Sequence, residues 1–202
     1  MATLADLSLI LNLRCRRRIK GRRPPPLILL TDEARLPDPL AVAGKLPAGS
    51  LVILRHYDAA HRETLGIKLA KLCRAKRLTL LVAGDPVLAQ KLKVGLHLPE
   101  YWLRKPLPAI RLIGKRQLLT AACHNRTAMI RARTAGAKAL LLSPVLPTQS
   151  HPGAKGLGIL GFRRLVRRCP LPVYALGGVN AQTIGLLTGS GAAGAAGIGG
   201  FL

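Results

Sequence analysis

Eight short apolar runs, most of them separated by a helix-length segment, constrain this chain more than any other feature. They are Leu27–Thr31, Leu51–Arg55, Leu78–Val82, Val94–Leu98, Leu118–Ala122, Lys138–Leu142, Pro172–Leu176 and the Gly/Ala-rich Gly194–Ile198. Continuous apolar runs of this length read as strands buried on both faces, the habit of parallel sheets. Parallel neighbours need a crossover of about a dozen or more residues. Helix candidates fill the gaps: Leu40–Leu46, Ala60–Lys76, Pro86–Leu92, Thr127–Ala135, Leu160–Arg168 and Ala181–Leu187. The series predicts an α/β fold, and the local pattern fits both a TIM (β/α)8 barrel and a doubly wound open sheet. Little chain follows the eighth run, so the usual eighth helix is missing from the pattern. An extra N-terminal helix is predicted within residues 2–19 from Leu4, Leu7, Leu9, Ile10, Leu11 and Leu13. It is free to cover the bare face or the opposite end of the barrel, unless a second subunit does so. Pro24-Pro25-Pro26 stops that helix and stiffens the link. The expected division is a basic N-terminal helix and linker, 1–26, and a barrel domain, 27–202.

The formal net charge of +24 favours anionic partners. Aromatic residues make up only 3%, too few to stack bases, and no helix-turn-helix, zinc-finger or RNP-like signature occurs. No specific nucleic-acid partner is therefore expected, and phosphorylated small molecules are favoured. The four cysteines are far apart and form no C-x-x-C pair. That spacing argues against a zinc site and a disulfide framework, and suits a reducing cytosol and a cytoplasmic location. Leu4–Leu13 is too short to span a bilayer, and its basic cluster follows it, the reverse of a secretory signal.

In a barrel, residues just after each strand line the active face. Those positions read Thr31-Asp32, Arg55-His56, Gly84-Asp85, His97, Cys123-His124, Thr148 to His151, Gly177-Gly178 and Gly199-Gly200. Gly177-Gly178 lets backbone N–H groups approach an anion closely, and a helix starting at Ala181 would add its positive end. Gly199-Gly200 falls where barrels build a phosphate site from the last two loops. His124 is the candidate acid/base, because imidazole both donates and accepts a proton near neutrality. Cys123 and His124 leave the strand on opposite faces, which disfavours a nucleophile pair. His56 and His61 read as surface residues, and His97 as a structural hydrogen bonder.

The segment Ser143–Ala154 (SPVLPTQSHPGA), the following Gly156-Leu157-Gly158 and Leu171–Val179 (LPVYALGGV) resemble the thiamin phosphate synthase/TenI family. The family's pattern there is G-P-V-F-P-T-x-[TS]-K/H-P, then G-L, then I-P-V-x-A-I-G-G-I. The resemblance spans roughly Leu27 to the C-terminus and is strong over Cys123–Val179. It implies a TIM barrel that binds thiazole phosphate or thiamin phosphate, often as a homodimer. Two activities live in the family. The synthase joins hydroxymethylpyrimidine pyrophosphate to thiazole phosphate with Mg2+ held by carboxylates, whereas TenI-like members aromatise a thiazole phosphate tautomer with a His acid/base. The C-H-N and P-T-x-S-H-P-G spellings look most like TenI-like domains found fused to Nudix hydrolases.

Departures from the pattern separate the two activities. The synthase's Q-x-R-x-K reads Ile53, Arg55, Tyr57, so only Arg55 matches. Its N-D reads Gly84-Asp85, and its second metal Asp aligns with Trp102, leaving Asp85 as the one metal candidate. The Lys after T-x-T is His151, and the Ser ending the eighth strand is Gly199. One carboxylate poorly serves a hard cation that must also bind pyrophosphate. The implied site is thus Thr148, Ser150, Gly177, Gly178, Gly199, Gly200 and Arg55 around the phosphorylated substrate, with His124 as acid/base. No cofactor is expected, Mg2+ entering only if the synthase reading holds. A thiazole- or thiamin-phosphate binder without turnover is a third reading, and a basic scaffold that binds nucleic acid is a fourth.

Overall fold

A computed structural model describes residues 2–57, 60–104, 113–114, 117–148 and 156–198. Its centre is a closed barrel of eight parallel strands in sequential order, which decides between the two folds left open above. The strands are β1 Leu27–Leu30, β2 Leu51–Leu54, β3 Thr79–Ala83, β4 Gly95–Leu98, β5 Leu119–Cys123, β6 Ala139–Leu142, β7 Val173–Leu176 and β8 Gly194–Gly197. Register runs unbroken around the ring, with Leu176 beside Ala196 and Ile28 beside Ala196 on the closing pairs.

Helices α1 Leu4–Arg14, α2 Pro39–Gly44, α3 Arg62–Ala75, α4 Pro86–Lys91, α5 Arg126–Thr134 and α6 Gly158–Arg167 surround it. Four of them begin on a side-chain cap. Thr3, Asp38, Asp85 and Asn125 each accept the N–H of the third residue on, which satisfies an amide the first helical turn leaves unpaired. Strand alternation makes two cores. Leu29, Val52, Leu54, Leu80 and Val82 face the helices, while Ile28, Leu30, Leu51, Ile53, Leu81 and Leu141 fill the barrel.

Two expected elements change. The N-terminal helix ends at Arg14, well short of residue 19, because Cys15 turns into the buried core beneath the barrel. Ala181–Leu187 is not an α-helix but a turn followed by a single 3-10 turn, Ile184–Leu187. The Asn180 side chain accepts the N–H groups of Gln182 and Thr183, at 2.9 and 3.0 Å, and holds the turn.

Among the described residues no helix follows β8, and α1 covers the outside of the β8–β1 seam. Ser8 donates to Pro26 O (2.5 Å) and accepts from Ala195 N–H (2.8 Å). Asn12 donates to Ala193 O at 2.7 Å. Ser8→Ala removes a buried partner from both groups and is expected to cost about 1–3 kcal/mol. Urea unfolding checks this, and a change within experimental error would show that water replaces the hydroxyl.

Candidate functional site

The alternation that fills the barrel also builds the site at its carboxyl rim. On β2, Leu51 and Ile53 point inward, so Arg55 and Tyr57 follow them to the mouth. On β4 the inward series is Gly95, His97, Pro99, and on β5 it is Thr120, Ala122, His124. Leu30, Ser143, Leu176 and Ile198 arrive from β1, β6, β7 and β8 by the same parity. With Glu100, Tyr101, Thr148 and Gly177 they line a cavity of about 510 Å3.

His124 carries the best-defined chemistry. Its ring Nδ1 lies 2.7 Å from Ser143 O. A carbonyl can only accept, so Nδ1 carries the proton and Nε2 holds the basic lone pair in the neutral ring. The Glu100 carboxylate accepts the His124 backbone N–H at 2.6 Å and lies 3.7 Å from Nε2. Its side chain is 15% exposed against 45% for His124. One carboxylate thus fixes the loop and faces the nitrogen that would take up a proton.

Arg55 also lines the cavity, and Asp32 holds it in a close ion pair. Arg35 first and Arg55 second keep the Asp32 carboxyl well below the usual carboxylate range. Arg55 retains further N–H donors toward the cavity, since a guanidinium carries five. Thr148 and Gly177 line the same space. Gly177 and Gly178 adopt φ of +89° and +69°, and their Cα positions press on the β6 loop. A Cβ at Gly178 would meet Leu146 Cβ and Pro147 O at 2.6 Å. Close packing alone therefore requires the Gly pair. Ser150, Gly199 and Gly200 lie outside the described residues.

His56 departs from expectation. It is buried, 5% exposed, because it sits on the opposite parity to Arg55 and faces the helix layer, paired with Thr31 Oγ1 at 2.9 Å. His97 is buried as a structural hydrogen bonder, 2.8 Å from Thr120 Oγ1. Burial first, and the Arg55 charge second, push its pKa down to about 3. Burial also lowers that of His56. Both rings fold in the neutral form, whereas in the unfolded chain they take up protons below about pH 6.5. The unfolded state therefore binds more protons between pH 6.5 and 3, and stability is expected to fall as pH drops through that window. Urea unfolding at stepped pH checks this. His97→Asn, which keeps a partner for Thr120, should flatten the slope; an unchanged slope would remove His97 from the account.

Asp85 stands apart from the cavity lining. One oxygen caps α4 at Leu88 N–H (2.9 Å), and the other lies 3.7 Å from the Arg62 guanidinium. The second position implied for a metal is Trp102, whose indole offers no oxygen. A hard divalent cation seeks several oxygen ligands, so this pair does not fit Mg2+ and no step is drawn through it. Sequence reasoning passed over Glu100, Tyr101 and Ser143 as contributors to the site. The signal for Glu100 was its isolation, since it is the last acidic residue in the chain.

Comparison with known proteins matches the barrel to a family. A family model described as thiamine monophosphate synthase (TMP-TENI) matches residues 27–201. A putative thiamine-phosphate synthase 2 of Aquifex aeolicus is 32% identical over 157 residues, covering 75% of this chain and 82% of that protein. A thiamine-phosphate synthase of Pyrococcus horikoshii is 30% identical, covering 81% of each. Among solved structures, a thiamine phosphate pyrophosphorylase from Pyrococcus furiosus superposes with a TM-score of 0.68 at 23% identity, over 93% of this chain and 88% of that one.

Proposed function

The chain belongs to the thiamine monophosphate synthase family, and from that premise we propose that it is a TenI-like isomerase that aromatises a thiazole phosphate tautomer without a divalent cation. The observation that carries this reading is the His124 ring, its tautomer fixed by Ser143 O and its free Nε2 beside the Glu100 carboxylate. Nε2 takes the proton from the ring carbon, and the electron pair released moves through the ring to the exocyclic carbon. The same nitrogen returns a proton there, so the net change is a proton shift with no redox step. Glu100 stabilises the transient imidazolium. Thr148, with Ser150 and the backbone at Gly177-Gly178 and Gly199-Gly200, holds the phosphate, and Arg55 adds a cationic contact at the cavity wall. Tyr57 and Tyr101 line the same cavity and add aromatic surface for a flat heterocycle, in a chain that has only three tyrosines.

The second reading is Mg2+-dependent thiamin phosphate synthesis, favoured by the names of the relatives. Paired assays decide. Conversion of the purified thiazole tautomer in the presence of EDTA is the expected result. Formation of thiamin phosphate from hydroxymethylpyrimidine pyrophosphate, strictly dependent on Mg2+ and without tautomer conversion, would establish the synthase instead. Saturable binding with neither turnover would leave a ligand-binding protein.

A further inference from the structure

All eight acidic residues lie at or before Glu100, while residues 101–202 carry fourteen Lys and Arg. This imbalance is concentrated on two neighbouring helices. Every arginine of α5 and α6, together with the capping Arg168, is exposed, and none is ion-paired among the described residues. Between the helices runs a groove of about 250 Å3 lined by Arg126, Arg133 and Arg168 together with Ile130 and Leu165. Arg126, Ile130 and Arg133 stand at i, i+4 and i+7, one stripe of α5, so the two arginines are about 10 Å apart along the axis.

We propose that this α5–α6 face docks the phosphate backbone of a double-stranded nucleic acid, without regard to sequence. Guanidinium groups take phosphate oxygens two at a time. Exposed, unpaired arginines hold a single small anion weakly, because water and salt screen each contact. A duplex presents phosphates at every step and engages several arginines together, with release of its counterions. A single strand would need aromatic platforms, and the one aromatic residue of these helices, Phe162, is fully buried. A helix that inserts into a lipid surface immerses a continuous apolar stripe, and on α5 the stripe is broken into arginine, isoleucine and arginine. The surface lies on the outer helix layer, apart from the rim pocket, so the proposal stands whichever reaction the pocket performs.

The test is fluorescence anisotropy of a labelled random-sequence DNA duplex of about 30 base pairs, titrated with the full chain between about 50 and 200 mM salt. Wild type should bind with a steep negative slope of log affinity on log salt. Arg126→Gln/Arg133→Gln/Arg168→Gln should make that slope shallower by about three units and weaken low-salt binding at least about tenfold. The same three positions changed to Lys should restore most of both. The control Lys68→Gln/Lys71→Gln/Lys76→Gln removes equal charge at α3 and should change affinity by less than about twofold. Circular dichroism melts check that the variants fold. Equal effects of the two Gln triples would mean that net charge alone does the binding, and would overturn the proposal. So would absence of duplex binding at the lowest salt, or displacement of the duplex by phosphatidylserine vesicles that bind through the same arginines.

Discussion

His124→Ala is expected to lower turnover of the thiazole tautomer by about 10²–10⁴-fold, the contribution of a positioned general acid–base group. The expectation rests on geometry rather than on the presence of a histidine. Ser143 O engages Nδ1–H and leaves Nε2 as the one basic atom of the ring. His124→Gln keeps a polar group of similar reach but cannot take a proton and return it, so it should fall as far as the alanine. Substrate affinity should change little in either variant, because the residues proposed to hold the phosphate lie on other loops. Glu100→Gln should lose about fivefold, since a screened charge at this distance from an exposed ring is worth about 1 kcal/mol. Stopped-flow absorbance of the aromatic product measures all three. Full activity in His124→Ala would remove the mechanism, while leaving open which small phosphate the cavity holds.

Gly194→Ala is expected to destabilise the fold by about 3 kcal/mol or more, among the larger effects for one added methyl group. Gly194 opens β8 at φ +152°, and a Cβ there would lie 2.0 Å from Pro26 O, a backbone atom with no rotamer to escape into. Pro26 O is also the acceptor for Ser8 Oγ, so relief of the clash moves the α1 anchor as well. In a chain of this size the loss corresponds to a melting point lower by about 6–12 °C. Gly44→Ala is the control, because its Cβ would meet nothing within 4 Å. It should be neutral or slightly stabilising. Thermal unfolding followed by circular dichroism separates the two, and matched melting points would show that the seam yields without cost.

The strands were legible because burial on both faces leaves an unbroken apolar run, a signal that survives without knowledge of neighbours. Each of the eight runs became a barrel strand, and the inward parity of Ile53 and Ala122 carried Arg55 and His124 to the rim. Ala181–Leu187 misled because its composition suits a helix and Asn180 caps its first amides as a helix N-cap does, yet only a single 3-10 turn, Ile184–Leu187, follows the cap. His56 misled because it lies between Arg55 and Tyr57, both at the mouth of the cavity, and only strand alternation turns it the other way. Glu100 could not be placed from spacing at all. It arrives on the 3-10 turn Glu100–Arg104, outside every strand register, and meets His124 only in three dimensions. The assignment of phosphate binding to the loops after β6 and β7 came from the resemblance alone, since glycines demanded by packing and glycines demanded by a ligand look identical in sequence.

The helix laid over the closing seam has a consequence for how the molecule comes into being. Ser8 and Asn12 meet partners 187 and 181 residues away, about as non-local as contacts in a chain of this length become. Their loop-closure entropy is met only when the ring shuts, and ordering of this kind slows folding more than it changes stability. During synthesis the first helix must wait, its apolar face uncovered, until the eighth strand leaves the ribosome.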